Sequence, residues 1–438
     1  MTETDKTTFM KTRSLITYSI ALVFLAGTPL LCAQQDNGEP APKDKPSQVS
    51  QLTLDDLRTF TDVFNQARRN YVESVDDKTL LDAAIRGMLL ELDPHSSFLP
   101  ASEYADLSDA AQGRYSGIGL DIQARDDRLV VRAIINDSPA DQAGINPGDV
   151  ITSIDGVPIA GRYLPDAMDD LLGKPGTEVV LTVLPPEGEE RELTITRQYI
   201  LLPTLRFELL EDSYGYFRIT QFHRESAIHL EESLESIKSD GIDLKALVLD
   251  LRDNPGGTLR PAVSMADGFL DDGIIVTTRG RNSEMQLKFS AQAGQWLPGI
   301  PVMVLVDRGT ASASEVLAGA LQDNQRALIV GERTFGKGSV QSVLPLRNGD
   351  GIKLTTARYY TPSGRSIQAE GITPDVAIEW TEVPSPENNR IREADLDGHL
   401  EAEAEVVVDD SGEPSSLLAD FPLKALLNAL REAELVSY

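Results

Sequence analysis

Pro301-Val-Met-Val-Leu-Val306, followed after two residues by Gly309-Thr-Ala-Ser-Ala-Ser-Glu315, is the stretch from which the rest of the chain is read. The first part is a short, nearly uniform apolar run rich in Val, the pattern of a strand buried on both faces. Val316, Leu317, Ala320 and Leu321 then recur at helical spacing until Asp323-Asn324 interrupts them. Ser312 therefore falls at a strand-to-helix turn. There the unpaired N–H groups and the positive end of the helix dipole suit a developing oxyanion, and the Ala313 N–H is the candidate donor. Taken alone, the stretch favours a plainer role in which Ser312 or Ser314 caps the helix.

A nucleophilic serine needs a base. Histidine is poorly supplied: only His95, His223, His229 and His399 occur, none near a second motif. Gly336-Lys337-Gly338-Ser339-Val340-Gln341 stands out instead, following a second apolar run, Ala327-Leu-Ile-Val330, and the loop Gly331 to Phe335. Glycines on both sides let the backbone of Lys337 pack closely while its ammonium is held in a dry site, which lowers its proton affinity. A neutral Lys337 would deprotonate Ser312, and Gln341, four residues on, would hold the amine in place. An exposed loop position is the default for any single lysine. A third apolar run, Lys245-Ala-Leu-Val-Leu-Asp-Leu251, ends in Arg252-Asp253-Asn254-Pro255-Gly256-Gly257. Either Gly256 or Gly257 would supply a second oxyanion donor from such a turn, although a Pro-Gly-Gly turn by itself is ordinary punctuation.

These three stretches, in this order, resemble the carboxyl-terminal processing peptidases, or tail-specific proteases, a family of Ser-Lys endopeptidases. The resemblance implies Ser312 as nucleophile, Lys337 as base and Gln341 as its partner. It runs from about residue 50 to about residue 400 and includes Leu92-Asp-Pro-His-Ser-Ser-Phe-Leu99 and Arg392-Glu-Ala-Asp-Leu-Asp-Gly-His-Leu400. Several separated motifs in register are far more specific than any one of them.

The chain has 438 residues, enough for two or three domains with real cores. Its formal net charge is -29, which argues against nucleic acid or an anionic membrane surface as the main partner. Lys11 and Arg13 precede an apolar stretch from Leu15 to Leu31, the layout of an export signal with cleavage after Ala33, or of an uncleaved anchor. Cys32 is the only cysteine, so neither a disulfide framework nor thiol catalysis is expected. Residues 34–50, with Pro40, Pro42 and Pro46, read as a flexible tether.

Helical periodicity begins at Leu54, after a candidate Thr53 cap, and returns from Leu81 to Leu92. The two stripes are expected to pack on the catalytic core or on a second subunit. From Ser116 to about Arg197 short strands and turns resemble a PDZ domain. The resemblance implies that Gly117, Ile118, Gly119 and Leu120 receive a peptide C-terminus, while the strand that follows pairs with the tail. After Val179-Val-Leu-Thr-Val183 the chain has Leu184-Pro185-Pro186 where the resemblance implies a basic residue. Strands alternate with helices over residues 198–380, the signature of an α/β layered core. In the helix from Glu225 to Ser239, Ile228, Leu234 and Ile237 are expected to point inward, and His223 and His229 beside it are taken as packing or surface residues. Beyond Trp380 the chain turns acidic and reads mostly as solvated linker, before helical spacing returns from Leu417 to Leu435.

The expected fold is therefore a multidomain α/β (α+β) chain: signal or anchor 1–33, linker 34–50, N-terminal helical segment 51–110, PDZ-like domain 111–197, Ser-Lys peptidase core 198–380 and acidic C-terminal segment 381–438. The expected function is that of an exported serine endopeptidase of the cell envelope that reads C-terminal tails of proteins. The alternative is a non-catalytic scaffold that binds such tails. No cofactor and no metal are expected, since no Cys cluster or His-Glu-x-x-His pattern exists. Expected partners are protein substrates with exposed tails, with an adaptor or regulator, a membrane tether and a second copy of the chain left open.

Overall fold

A computed structural model describes residues 52–125, 128–201, 204–211, 213–380, 391–402, 423–432 and 435. The expected signal, the tether and Cys32 lie outside the described residues, as do the acidic stretches 381–390 and 403–422. Among the described residues no helix is long and apolar enough to cross a membrane. The chain divides between Asn70 and Tyr71 into two units, within the stretch read as one helical segment.

In the first unit, helix α1 (Leu54–Asn70) starts where Thr53 and Asp56 exchange bonds: Asp56 N donates to Thr53 Oγ1 at 3.2 Å and Thr53 N to Asp56 Oδ2 at 2.8 Å. The helix carries no buried residue.

The second unit opens with helix α2 (Asp77–Leu90), capped by Asp76, which accepts from Thr79 N at 3.0 Å. Only Leu89 is buried along it. The helix ends short of the expected Leu92 because the following turn is taken over by Asp93, whose carboxylate accepts the N–H groups of His95 and Ser96. Strand β1 (Ser97–Leu99) and helix α3 (Ala101–Ala111) follow, then β2 (Arg114–Gly117).

The PDZ-like region contains β3 (Leu120–Arg125), β4 (Arg128–Ile134), α4 (Pro139–Gln142), β5 (Val150–Ile154), β6 (Val157–Pro158), α5 (Leu164–Asp169), β7 (Glu178–Leu184) and β8 (Arg191–Thr196). Its sheet runs in the order β3-β4-β5-β7-β8, so β3 is an edge strand. Alternate residues of β7, Val179, Leu181 and Val183, fill its core with Leu129, Ile151 and Ile118. The stretch from Ser116 to Ile122 holds the ends of two strands. Gly117 closes β2, which pairs with β9 (Gln198–Leu201), and Leu120 opens β3.

The catalytic body follows with β10 (Leu205–Leu210), β11 (Tyr214–Ile219), α6 (Ser226–Ser239), β12 (Ala246–Asp250), α7 (Leu259–Phe269), β13 (Ile274–Gly280), β14 (Lys288–Ser290), β15 (Val302–Val306), α8 (Ala313–Asp323), β16 (Ala327–Gly331), β17 (Ser339–Pro345), β18 (Gly351–Tyr360), β19 (Val376–Ala377) and, near the chain end, α9 (Leu423–Glu432). The main sheet has the order β10-β11-β12-β15-β16-β19, and β11 through β19 are parallel. Every residue of β12, β15 and β16 is buried, as the uniform apolar runs predict for strands covered on both faces. Helices α6, α7 and α8 cover one face through Leu230, Met265 and Leu317; α9 covers the other through Leu426 and Leu430. A second sheet, β1-β18-β13-β14 with β17 beside β18, recruits β1 from the stretch read as helical.

Two expectations are corrected. Along α6 the inward face is Ala227, Leu230, Leu234 and Ile237, and Ile228 is 52% exposed, because it lies two residues from Leu230 and so falls off the 3.6-residue stripe. Residues 391–402, read with the solvated linker, pack on the catalytic body, and Glu393 is buried.

Candidate active site

In a parallel sheet the carboxyl ends of neighbouring strands bring their loops together, and ligands bind there. Here β12, β15 and β16 are adjacent. The loops that leave them carry Gly256-Gly257, Ser312 and Lys337, so the sheet order alone gathers three motifs that are distant in sequence.

Side chains lock these loops to one another. Asn254 Nδ2 donates to Ile219 O at 2.9 Å, while its Oδ1 takes the Gly256 N–H at 2.9 Å and its carbonyl takes the Ala311 N–H at 2.9 Å. Asp307 Oδ1 accepts from Asp253 N and Gly309 N, each at 2.9 Å, and Thr310 Oγ1 donates to Leu251 O at 2.8 Å. Ser314, fully buried, donates its hydroxyl to Asn254 O at 3.1 Å and is thereby committed to the scaffold. Ser312 is only partly buried. It occupies the N-cap position of α8 with φ 57° and ψ -115°, whereas an ordinary cap sits in the β region. A non-glycine residue held at positive φ costs on the order of 1–3 kcal/mol, a strain that clusters at functional sites. The geometry thus separates the two serines that the sequence left as rival caps.

Glu315 is the residue that sequence reading passed over. It is wholly buried beneath the turn, and its carboxylate collects four donors: Ser312 N at 2.7 Å and Lys337 N at 2.9 Å on Oε2, Gly336 N at 2.8 Å and Thr334 Oγ1 at 2.5 Å on Oε1. Burial pushes its carboxyl up to about 7, against the downward pull of the Thr334, Gly336, Ser312 and Lys337 donors. The only sequence signal was its place three residues after Ser312, at the third helical position, from which a carboxylate reaches back to the N-cap N–H.

Lys337 is half-buried. Desolvation pulls its amine below the ordinary lysine value, and the nearby Lys353 charge adds to that. Glu393, Glu315 and Asp93 oppose it. The flanking glycines do what their small size implies: a Cβ on Gly338 would lie 2.2 Å from Gln368 N. Gln341 lies on β17, where its Nε2 donates to Ser339 Oγ at 2.9 Å and to Thr355 Oγ1 at 3.3 Å.

Gly256 has φ 100°, and a Cβ there would lie 2.9 Å from both Ala313 N and Ser312 Cβ and 2.7 Å from Ala311 O. Its backbone therefore runs directly against the turn that carries Ser312. Its N–H is already bonded to Asn254, whereas among the described residues the N–H groups of Gly257 and Ala313 have no acceptor. The loop is held from beneath by Asp250, a buried carboxylate that accepts from Tyr216 Oη at 2.7 Å, Arg252 Nη2 at 2.6 Å and Arg218 Nη1 at 2.8 Å. Burial opposes ionisation of Asp250, but the two guanidinium groups and Tyr216 bring its carboxyl below the usual range. This brace, too, was not read from the sequence.

The remaining candidates divide. Ile118 has its side chain in the PDZ-like core, with its carbonyl bonded to Ala140 N at 2.9 Å. Gly119, at φ 85°, lies against Ser138, and Leu120 begins the edge strand β3. His223 is buried; Glu225 N donates to its Nδ1 and its Nε2 meets Thr204 Oγ1 at 2.9 Å, a packing role, while His229 is exposed. No group of side chains suited to hold a metal ion occurs among the described residues.

Comparison with known proteins identifies the family. Residues 213–378 match the profile described as Peptidase family S41, residues 130–185 that of a PDZ domain, and residues 19–102 that of the activating protease CtpB N-terminal domain. The chain is 39% identical over 399 residues to a carboxy-terminal-processing protease of Bartonella bacilliformis, covering 89% of each. It belongs to peptidase family S41. As an S41 chain it is a serine peptidase that carries a PDZ domain. A probable CtpA-like serine protease of Staphylococcus aureus is 35% identical, over 76% of this chain and 67% of that one. Among solved structures, the photosystem II D1 C-terminal processing protease is 33% identical, with a TM-score of 0.45 over 73% of this chain and 87% of that one.

Proposed function

We propose that this S41 peptidase captures exposed C-terminal tails of proteins and cleaves them by a Ser-Lys mechanism. The observation that carries the reading is the Glu315 carboxylate, which fixes the backbones of Ser312 and Lys337 on one oxygen atom. Desolvation makes the Lys337 amine easier to deprotonate, and in its neutral form it takes the Ser312 hydroxyl proton as Oγ bonds to the scissile carbonyl carbon. The N–H groups of Ala313 and Gly257 receive the oxyanion, and Gly256 supplies the close approach rather than the donor. The Lys337 ammonium then protonates the departing amide nitrogen, and water, giving a proton to the amine, releases the acyl group. Gln341 orients the amine from β17.

Tail capture belongs to the PDZ domain. Edge strand β3 offers an unpaired side for strand addition, and the turn Gly117 to Leu120 precedes it with N–H groups for a terminal carboxylate. The basic and apolar N-terminal stretch supports export, so that the substrates are proteins of the cell envelope.

The test is cleavage of an unfolded protein with an apolar last residue by wild type, Ser312→Ala and Lys337→Ala, each shown to be folded by thermal melting. Loss of cleavage in both variants is expected; retained cleavage in either removes that residue from its role. Amidation of the substrate C-terminus should raise KM, and an unchanged KM would remove the carboxylate turn from the reading.

A further inference from the structure

Two stretches named for the resemblance, Leu92–Leu99 and Arg392–Leu400, have no part in the mechanism above. In the structure they meet against the loop that carries Lys337. Glu393 N donates to Phe335 O at 3.2 Å, which fixes the second stretch two residues before the base. The Glu393 carboxylate, on a fully buried residue, takes His95 Nε2 at 2.8 Å on Oε2 and Gln368 Nε2 at 2.8 Å on Oε1. Gln368, also fully buried, returns to the same loop, its Oε1 accepting the Gly338 N–H at 3.1 Å. His95 is held in turn by Asp93, which accepts its backbone N–H at 2.9 Å and the Thr355 hydroxyl at 3.1 Å. Thr355 Oγ1 is the atom to which Gln341 donates. A continuous polar network therefore joins Gln341, Asp93, His95, Glu393 and Gln368 around the base.

We propose that Glu393 is a positioning residue for the general base, held by His95 and Gln368 so that its carboxylate fixes both the loop of Lys337 and the charge that faces its amine. This rests on Lys337 acting as the base. Burying a carboxylate is costly unless positive charge and donors compensate it. Burial works to raise the Glu393 carboxyl, yet the His95 and Gln368 hydrogen bonds and the His95 and Lys337 charges bring it below its ordinary value, so Glu393 is an anion. Facing that anion, His95 Nε2 must carry a proton and donate it to the carboxylate. Glu393 is the foremost of the anions that work against desolvation at Lys337. The other charged groups bearing on the amine are Lys353 from β18, Glu315 from α8 and Asp93. Without Glu393 the amine would lose its proton more readily but would be a weaker acceptor, in a loop less firmly placed.

The experiment is the pH dependence of kcat/KM, and of Ser312 labelling by a fluorophosphonate, for wild type, Glu393→Gln, Glu393→Asp and Lys337→Ala, all checked for folding by thermal melting. Glu393→Gln should move the acid limb to lower pH and reduce the plateau about ten-fold through looser placement of the amine. Glu393→Asp keeps the charge but draws it back by one methylene, and should move the limb the same way by less; it decides the matter if the glutamine variant does not fold. An acid limb that stays put in a folded variant, whatever the plateau does, would reduce Glu393 to a brace and overturn the proposal. Activity surviving in Lys337→Ala would instead overturn the base assignment and the proposal with it.

Discussion

The main-chain N–H groups of Ser312 and Lys337 donate to the same atom, Glu315 Oε2, at 2.7 and 2.9 Å. The two nitrogens are therefore no farther apart than the sum of those two bonds. The backbones of the proposed nucleophile and the proposed base are registered to each other by this third residue.

Replacing that carboxylate tests the registration. Glu315→Gln puts an amide NH2 where only acceptors fit, so at least one of the four donors faces another donor. The expected cost is roughly 1–3 kcal/mol of stability with a fall in kcat, measured by chemical denaturation and turnover. The pH dependence follows from the raised carboxyl, which sits at about 7 when folded against 4.5 for the reference acid. Between those values the folded protein holds more protons than the unfolded, so the Glu315 contribution to stability is present below about pH 4.5 and lost as pH rises through about 7. Glu315→Gln should abolish that slope.

Lys337→Arg keeps a long cation but cannot become neutral. Cleavage should fall by about 10²–10⁴-fold, the size of a general-base contribution, across the accessible pH range. Lys337→Met should be equally inactive yet melt at higher temperature at neutral pH. The lowered proton affinity means that the folded protein must either bury a charge or give up a proton that the unfolded chain keeps, a cost present at neutral pH and relieved only as pH rises toward the ordinary lysine value of 10.5. An unchanged or lower melting temperature would contradict the desolvation on which the mechanism relies.

The two serines of the turn should separate cleanly. Ser314→Ala removes a buried hydroxyl bonded to Asn254 O and should cost about 1 kcal/mol while leaving fluorophosphonate labelling intact. Ser312→Ala should abolish labelling, and relief of its positive φ is not available to alanine.

Gly256→Ala would place a methyl group against Ala311 O and Ala313 N at positive φ. Displacing one oxyanion donor costs about 10²–10³-fold in kcat. The expected result is a loss of that size with KM little changed, read from steady-state kinetics on a folded variant.

Asp250→Asn would leave Arg218 and Arg252 without their shared anion beneath the glycine loop. Removing one partner of a buried ionic cluster costs roughly 3–5 kcal/mol, to be measured by denaturation.

Much of this was legible in the residues themselves, because it is local. Uniform Val-Leu-Ile runs of strand length marked β12, β15 and β16. The glycines around Lys337 and after Asn254 marked backbone that must approach other backbone closely, and the small-residue turn before α8 marked Ser312. Those signals lie within a few residues of the groups they concern. Glu315 was in plain view, yet nothing in a turn sequence says that a carboxylate at the third helical position will be buried under four donors. Ile228 was misplaced by two positions because a short helix with few apolar residues leaves its stripe ambiguous. The tertiary structure alone decided that β12, β15 and β16 would be neighbours, that Ser314 would be spent on Asn254, and that Asp250 would gather Arg218, Arg252 and Tyr216. It alone brought His95 to Glu393 across 298 residues of chain. Buried polar groups must be satisfied, but any donor of the right kind meets that need, and only the completed packing of the sheet fixes which one stands within 3 Å.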